Sequence, residues 1–535
     1  MRLPPLASLL VAILAALAPI AAGQEHEHGD ASGIVIAHEA PGDGRLYVGG
    51  LAHFAAVVVG KDTSPDPHQD LHLRVLLNGA VLFETTPASG HDYDGINTFA
   101  VRFPVAGDYA VQVLQADGHV ANSFRGRVEP PLPAPEVTFR LDGPDAPAAL
   151  SLATFTLAAE TADGVVPHCD ALFEVAQGSQ ILFRTKTHSH TAPGEVLYAF
   201  PSPGAYTVRA TYYVAYPDRV TPEFAPGVVE KSVQVGPPNP AALPSTSPPT
   251  AAPVVQPDNV VVKGSGGEGL ELYGTYDPYT VAGPATLMHL GLLVMDPATG
   301  EPRPHVDFTA RLTGPTGGVL FASSSLHEYD GIFEVATVQP LPGTYTLTVD
   351  AAADAWTGHV EIPYTITLPT TAATSSPPGL SAGPQLYSLA ASDGVRAGKA
   401  ATLTVSARDL AGEPLQHSEV DTRLFGTDGV PILLTKLHTH GDGDFPFDVA
   451  FPAAGGYTLQ LSPFPLVAQP VGPYLTADLG TDLSFAVSAA EGSFPSAAPR
   501  ETLAPATEDP KDMPAPTFAL AAAALALAAW AGRRR

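Results

Sequence analysis

Four times along this chain a histidine is followed two positions later by an acid: His68 and Asp70, His168 and Asp170, His305 and Asp307, His417 and Glu419. A further histidine stands 20 to 23 positions after each of these: His91, His188, His327 and His438. Eight of the 18 histidines thus fall into two columns. Imidazole nitrogens and carboxylate oxygens are the donors that borderline divalent ions take from proteins. Two positions beyond the second histidine come Tyr93, His190, Tyr329 and His440, and Asp94 and Asp330 follow in the first and third cases. The second and fourth sets, three histidines with an acid, suit zinc or copper(II). The first and third, two histidines with one or two carboxylates, suit zinc, manganese or iron(II) about equally. The competing reading is plain: histidines at strand ends often just hydrogen-bond to a nearby acid and to backbone, and Asp94-Gly95 and Asp330-Gly331 are ordinary turn pairs. On the sequence alone both readings stay open, zinc or copper ions in the one and no cofactor in the other.

Something must hold these columns in place, and a second repeat shows what. Phe103-Pro104 runs to Gly107-Asp108-Tyr109, and the pattern returns at Phe200-Pro201 to Tyr206, Pro340 to Tyr345 and Phe451-Pro452 to Tyr457. Each tyrosine opens an alternating run, "YAVQVL", "YTVRAT", "YTLTVD" and "YTLQLS". A turn, a tyrosine and a period-2 strand resemble the tyrosine corner of an immunoglobulin-like sandwich. The fold expected is therefore all-β, with four tandem immunoglobulin-like β-sandwich domains at 33–130, 131–236, 258–370 and 384–490. In the first copy strands are expected at 54–59, 71–77, 80–85, 98–103, 109–114 and 120–128, and Asn78-Gly79 is a strong two-residue hairpin signal. Gly178, Gly317-Gly318 and Asp428-Gly429 stand at the same place in the other copies. In an antiparallel hairpin the start of the first strand lies beside the end of the second, so each His-x-acid pair should meet its later histidine. Residues i and i+2 of a strand share a face, which points the acid and its histidine the same way.

Composition narrows the partners. Acids outnumber bases 54 to 26, for a net charge of −28, which argues against nucleic acid and anionic lipid. Cys169 is the single cysteine, so no intramolecular disulfide or redox pair exists, and strand alternation should turn it toward the core. No Gly-x-Ser-x-Gly elbow, phosphate loop, dinucleotide glycine pattern or HExxH helix occurs, and the chain is expected not to be an enzyme. Two tryptophans, Trp356 and Trp530, leave little aromatic surface for sugar binding.

The ends point outward from the cytoplasm. Arg2, an apolar run over 6–22 and a small-residue step read as a signal peptide at 1–23. A segment at 24–32 follows, in which Glu25-His26-Glu27-His28 could chelate a cation or simply be solvated. Pro-, Ser- and Ala-rich stretches at 237–257 and 371–383 read as linkers, and 491–513 as a disordered stalk. The last segment, 514–535, is an Ala/Leu-rich run closed by Arg533, Arg534 and Arg535. As a helix its 517–532 core would be roughly 24 Å long against a bilayer core of about 30 Å, with the arginines on the cytoplasmic side. A short Pro-containing motif (Pro514-Ala515-Pro516-Thr517), an apolar helix and a basic cluster resemble tripartite sorting signals, nearest the archaeal PGF-CTERM type. That resemblance implies removal of the tail and its replacement by a lipid, the membrane being the partner in either case. The Gly-x-Tyr strand preceded by a histidine-bearing loop is also similar, at the level of fold, to small exported sandwich domains in copper handling. The chain is thus expected at the outer face of the cell membrane or in the envelope. There it would hold metal ions or other surface components, or serve as an adhesive or structural stalk.

Overall fold

The computed structural model describes residues 33–488 except 40–44, 67–68, 87–88, 93–94, 116, 132–134, 179, 190–191, 215–223, 239–259, 277–286, 340–342, 367–385, 393, 409–411, 415–417, 440–442 and 465–480. The signal peptide, the 24–32 segment, the 491–513 stalk and the 514–535 tail lie outside the described residues, as do nearly all of both linkers. The described residues form β-strands and turns and no helix. All six strands expected in the first copy are present, from Leu51–Val59 to Val120–Glu129, and Gly33–His38 precedes them.

Local chemistry accounts for the turns. Asn78 and Gly79 take φ of 53° and 80°, the two left-handed residues of a type I′ hairpin, and Leu77 pairs with Ala80 across it. Before each corner tyrosine a glycine, Gly107, Gly204, Gly343 or Gly455, takes φ between 135° and 154°, which other residues avoid. The corner tyrosines Tyr109, Tyr206, Tyr345 and Tyr457 are all buried. Tyr206 Oη donates to the Ser202 carbonyl and Tyr457 Oη to the Ala453 carbonyl, each at 2.8 Å, the bond that ties this corner back to the chain upstream.

The sheets cross the boundaries between copies. In the first copy Ile96–Arg102 pairs with Pro431–Thr439 of the fourth, Val101 opposite Leu433. Reciprocally, Ala80–Thr85 pairs with Asp444–Ala450, Thr85 opposite Phe447. The second and third copies repeat the exchange, Gln180–Ser189 with Ile332–Val338 and Gly194–Ala199 with Val319–Glu328. Each copy thus pairs the second strand of its hairpin with the strand that precedes its partner's tyrosine corner. Edge strands with unpaired backbone groups invite further pairing, and here a second copy closes both edges at once. The sequence reading of one sandwich per copy did not include this fusion.

One sheet of the first-and-fourth pair then lies on one sheet of the second-and-third pair. Along Leu51–Val59, Phe54, Ala56 and Val58 point into the first copy's core. Ala55, Val57 and Val59 point the other way, onto Tyr273, Leu293, Met295 and Ile332 of the third copy. A strand covered on both faces reads as an unbroken apolar run, which is the physical origin of "FAAVVV". Toward the middle of this layer the contacts turn polar: Arg184 donates twice to Asp421 at 2.7 Å, and Arg423 to Glu174 at 2.7 Å, joining the second copy to the fourth.

Candidate metal centre

In every copy the acid of the His-x-acid pair stands directly across the hairpin from the second histidine. Asp70 is opposite His91, Asp170 opposite His188, Asp307 opposite His327 and Glu419 opposite His438. The expected meeting of the two columns is therefore present in the backbone register. His68, Asp94, His190, His417 and His440 lie outside the described residues, and for His91 and Glu419 the register alone is described. Asp70 is exposed, while His438 is fully buried and its backbone N–H donates to the Ser89 carbonyl at 3.1 Å.

The second and third copies bring their histidines together. His188 Nδ1–H donates to Asp170 Oδ1 at 2.5 Å, and His327 Nδ1–H to Asp307 Oδ1 at 2.6 Å. The acids thus hold the inner ring nitrogens, and each outer nitrogen faces another aromatic donor or acceptor. His327 Nε2 is 3.4 Å from His305 Nδ1. His188 Nε2 is 3.4 Å from the Tyr329 hydroxyl, which is 2.5 Å from His168 Nδ1. Tyr329 stands among all four imidazoles, its ring centroid 4.7 Å from that of His327, 5.1 Å from His305, 5.4 Å from His188 and 6.2 Å from His168.

Two backbone features aim these rings. His168 and His305 both take left-handed φ, 52° and 60°, in the turn before their strand, so it is the turn, not strand alternation, that orients the first histidine. Gly331 has φ of 75°, and a Cβ there would come within 2.2 Å of the Arg303 carbonyl oxygen. The turn after Tyr329 therefore requires glycine. Burial, then the neighbouring His327 and Arg303 charges, push His305 below its ordinary value, which favours the neutral imidazole that a metal ion binds.

Asp330 does not join this set. Its Oδ1 accepts the Ile332 N–H at 3.0 Å, and its Oδ2 points away, 3.6 Å from His53 Nδ1 of the first copy. The reason is that the Asp330-Gly331 turn carries the chain from one sheet to the other, so the side chain leaves the histidine side.

Neither a family model nor a curated protein matches the chain. Among solved structures it is similar to Escherichia coli alpha-2-macroglobulin activated by porcine elastase, at 10% identity over 85% of this chain and 53% of that one, TM-score 0.18. It is also similar to the chicken CNTN1 FN1-FN3 domains, at 10% identity over 63% and 99%, TM-score 0.15. A third is the surface layer protein SbsC, domains 1–6, at 11% identity over 86% and 54%, TM-score 0.14. The chain spans about half the length of the macroglobulin. The described residues of this chain are all-β and form several sheets.

The sequence reading missed a group of buried charges beside the histidines. Lys186 pairs with Glu39 and with Glu328, and its Nζ is 3.8 Å from Asp170 Oδ2. Burial pushes Glu39 and Glu328 up, although Lys186 works against it. Next to them a cavity of about 60 Å³, lined among others by His53, Lys186, His289, Glu334, Asp421 and Lys436, receives residues from all four copies. One signal was available: Lys186 and Lys436 each stand two positions before the second histidine in the second and fourth copies, where the first and third have Ser89 and Ser325.

Proposed function

We propose that this chain is an exported β-sandwich protein, held at the cell surface by its C-terminal tail or a lipid replacing it, that binds zinc or copper(II) at the histidine cluster of its second and third copies. The observation that carries the reading is the pair His305 Nδ1 and His327 Nε2, 3.4 Å apart, with Asp307 behind His327. Two nitrogens on one tetrahedral zinc stand about 3.3 Å apart, given bonds of about 2.0 Å. A carboxylate on the remote nitrogen is the usual support of a metal-ligating histidine. The Tyr329 ring stands beside both imidazoles, its centroid 4.7 Å from that of His327 and 5.1 Å from that of His305, and water would fill the remaining positions. The acids, on this reading, orient histidines and do not themselves bind the ion.

The test is calorimetric titration of the full exported chain with zinc and with copper(II) at neutral pH, wild type against His305→Ala plus His327→Ala. Saturable binding in the wild type, of which the double variant loses one equivalent, supports the proposal. Absence of binding of either ion to the wild type overturns it. A second reading, a structural surface component without metal, is favoured by the two His–Asp hydrogen bonds, which by themselves fasten the hairpin ends, and the same titration decides between them. Mass analysis of the mature C-terminus reads the tether: an intact Arg535 excludes exchange of the tail for a lipid.

A further inference from the structure

A second group of donors lies in the layer between the stacked sheets: Glu39 and His53, which the histidine repeat does not include, and Asp330, which the structure turns away from the third copy's histidines. Glu39 follows Gly33–His38, and its backbone N–H donates to the His53 carbonyl at 3.3 Å, which sets the two side by side. His53 sits in Leu51–Val59, on the face turned toward the third copy. Asp330 comes to meet it from that copy. One ligand atom from each of the three lies within 4.8 Å of the other two.

Three features distinguish this group from an ordinary buried ion pair. Asp330 Oδ2 and His53 Nδ1 are buried atoms with no hydrogen bond among the described residues: at 3.6 Å they are within ion-pair distance of each other but beyond hydrogen-bond length. Asp330 cannot turn away, because its Oδ1 is held by the Ile332 N–H and its backbone by the Gly331 turn. The surroundings are also short of positive charge. Glu39, Asp170, Glu328 and Asp330 are all buried, and among the described residues Lys186 is the one lysine or arginine that pairs with any of them. Buried carboxylates in such excess need a compensating cation or protons. A divalent ion would meet the two orphaned atoms and most of the charge together.

We propose that Glu39, His53 and Asp330 form a divalent-cation site that clasps the first copy to the third. One imidazole and two carboxylates suit zinc or manganese, with the remaining positions filled by water. The His53 side chain is 22% exposed, although its Nδ1 is buried. Since the first copy is fused to the fourth and the third to the second, an ion here joins the two fused pairs. The site shares no residue with the histidine cluster and stands whether or not that cluster binds metal.

The test uses the full exported chain, stripped by chelator and titrated with zinc and with manganese. In the His305→Ala plus His327→Ala background one equivalent should still bind, and adding Glu39→Gln plus Asp330→Asn should weaken it at least about tenfold. These near-isosteric changes keep the side-chain volumes, and circular dichroism checks that the fold survives. A measurement on the wild type alone guards against a variant that fails to fold: hydrogen exchange of peptides covering 33–39, 51–59 and 330–338 should slow on adding the ion. The proposal is overturned if no equivalent remains in the His305/His327 background, if the added changes leave its affinity as it was, or if exchange in those three peptides does not respond.

Discussion

The second and third copies carry the same hairpin with the same His–Asp pair, yet one pair is buried and the other faces water. Asp170 and His188 are 0% and 3% exposed, whereas the Asp307 side chain is 70% exposed. The hairpin strand Cys169–Gln177 is covered on both faces in its first half, while Val306–Thr313 alternates buried and exposed along its length. The difference arises from the exchange of strands between copies. It places the second copy's hairpin in the sheet that stacks on the other pair and the third copy's hairpin in the sheet on the far side. The fourth copy's hairpin follows the second and the first copy's follows the third. A repeat therefore supplies the pairing, and the packing of the pairs decides its dielectric surroundings.

The largest effect expected from this contrast is at Lys186. Lys186→Met leaves Glu39 and Glu328 buried without their cation and should cost about 3–5 kcal/mol in chemical denaturation. Lys263→Met, at the exposed Lys263–Glu271 pair, should cost less than about 1 kcal/mol. Equal losses would break the comparison. Next come the two acids: Asp170→Asn should cost about 1–3 kcal/mol and Asp307→Asn less than about 1 kcal/mol. Yet Asp307→Asn should lower metal affinity about 10- to 100-fold if it orients His327 as proposed. Calorimetry and denaturation on the same two variants separate these roles.

A pH measurement sharpens the picture of the covered layer. Burial, then the charges of Lys436 and Arg184, hold His289 well below its ordinary value, with Glu334 3.6 Å away and Asp421 across Arg184. A depressed folded-state value means that the contribution to stability is full above about pH 6.5 and is lost as pH falls toward the folded value. The stability difference between wild type and His289→Gln should thus be flat above that point and shrink below it, by up to about 1.4 kcal/mol per pH unit. A difference that stays constant down to pH 5 would show that His289 is not held neutral. The smallest effect belongs to Arg102 and Asp428, a half-exposed link between the first and fourth copies. Asp428→Asn should change stability by only a few tenths of a kcal/mol, mostly lost in high salt.

Much of the candidate site was legible because its parts are local. The opposition of His-x-acid to the second histidine depends on hairpin length and turn type, and Asn78-Gly79, Gly178, Gly317-Gly318 and Asp428-Gly429 declare both. The burial of Cys169 in the core likewise follows from alternation along one strand. Asp330 and His53 were not legible in the same way. Asp330 was singled out beside the third copy's histidines, not beside the first copy, and a lone histidine inside "LAHFAAVVV" carries no mark of what will lie across from it.

By itself, then, the sequence determined the strands, their turns, the tyrosine corners and the facing of acid and histidine within each hairpin, since all of these arise from neighbours close along the chain. Only the tertiary structure decided that the first copy joins the fourth and the second the third, that two of the four hairpins are covered, and that Glu39, His53 and Asp330 meet. Alternation tells a strand which side faces its own sandwich. What covers the other side depends on surfaces hundreds of residues apart, whose complementarity leaves no periodic trace.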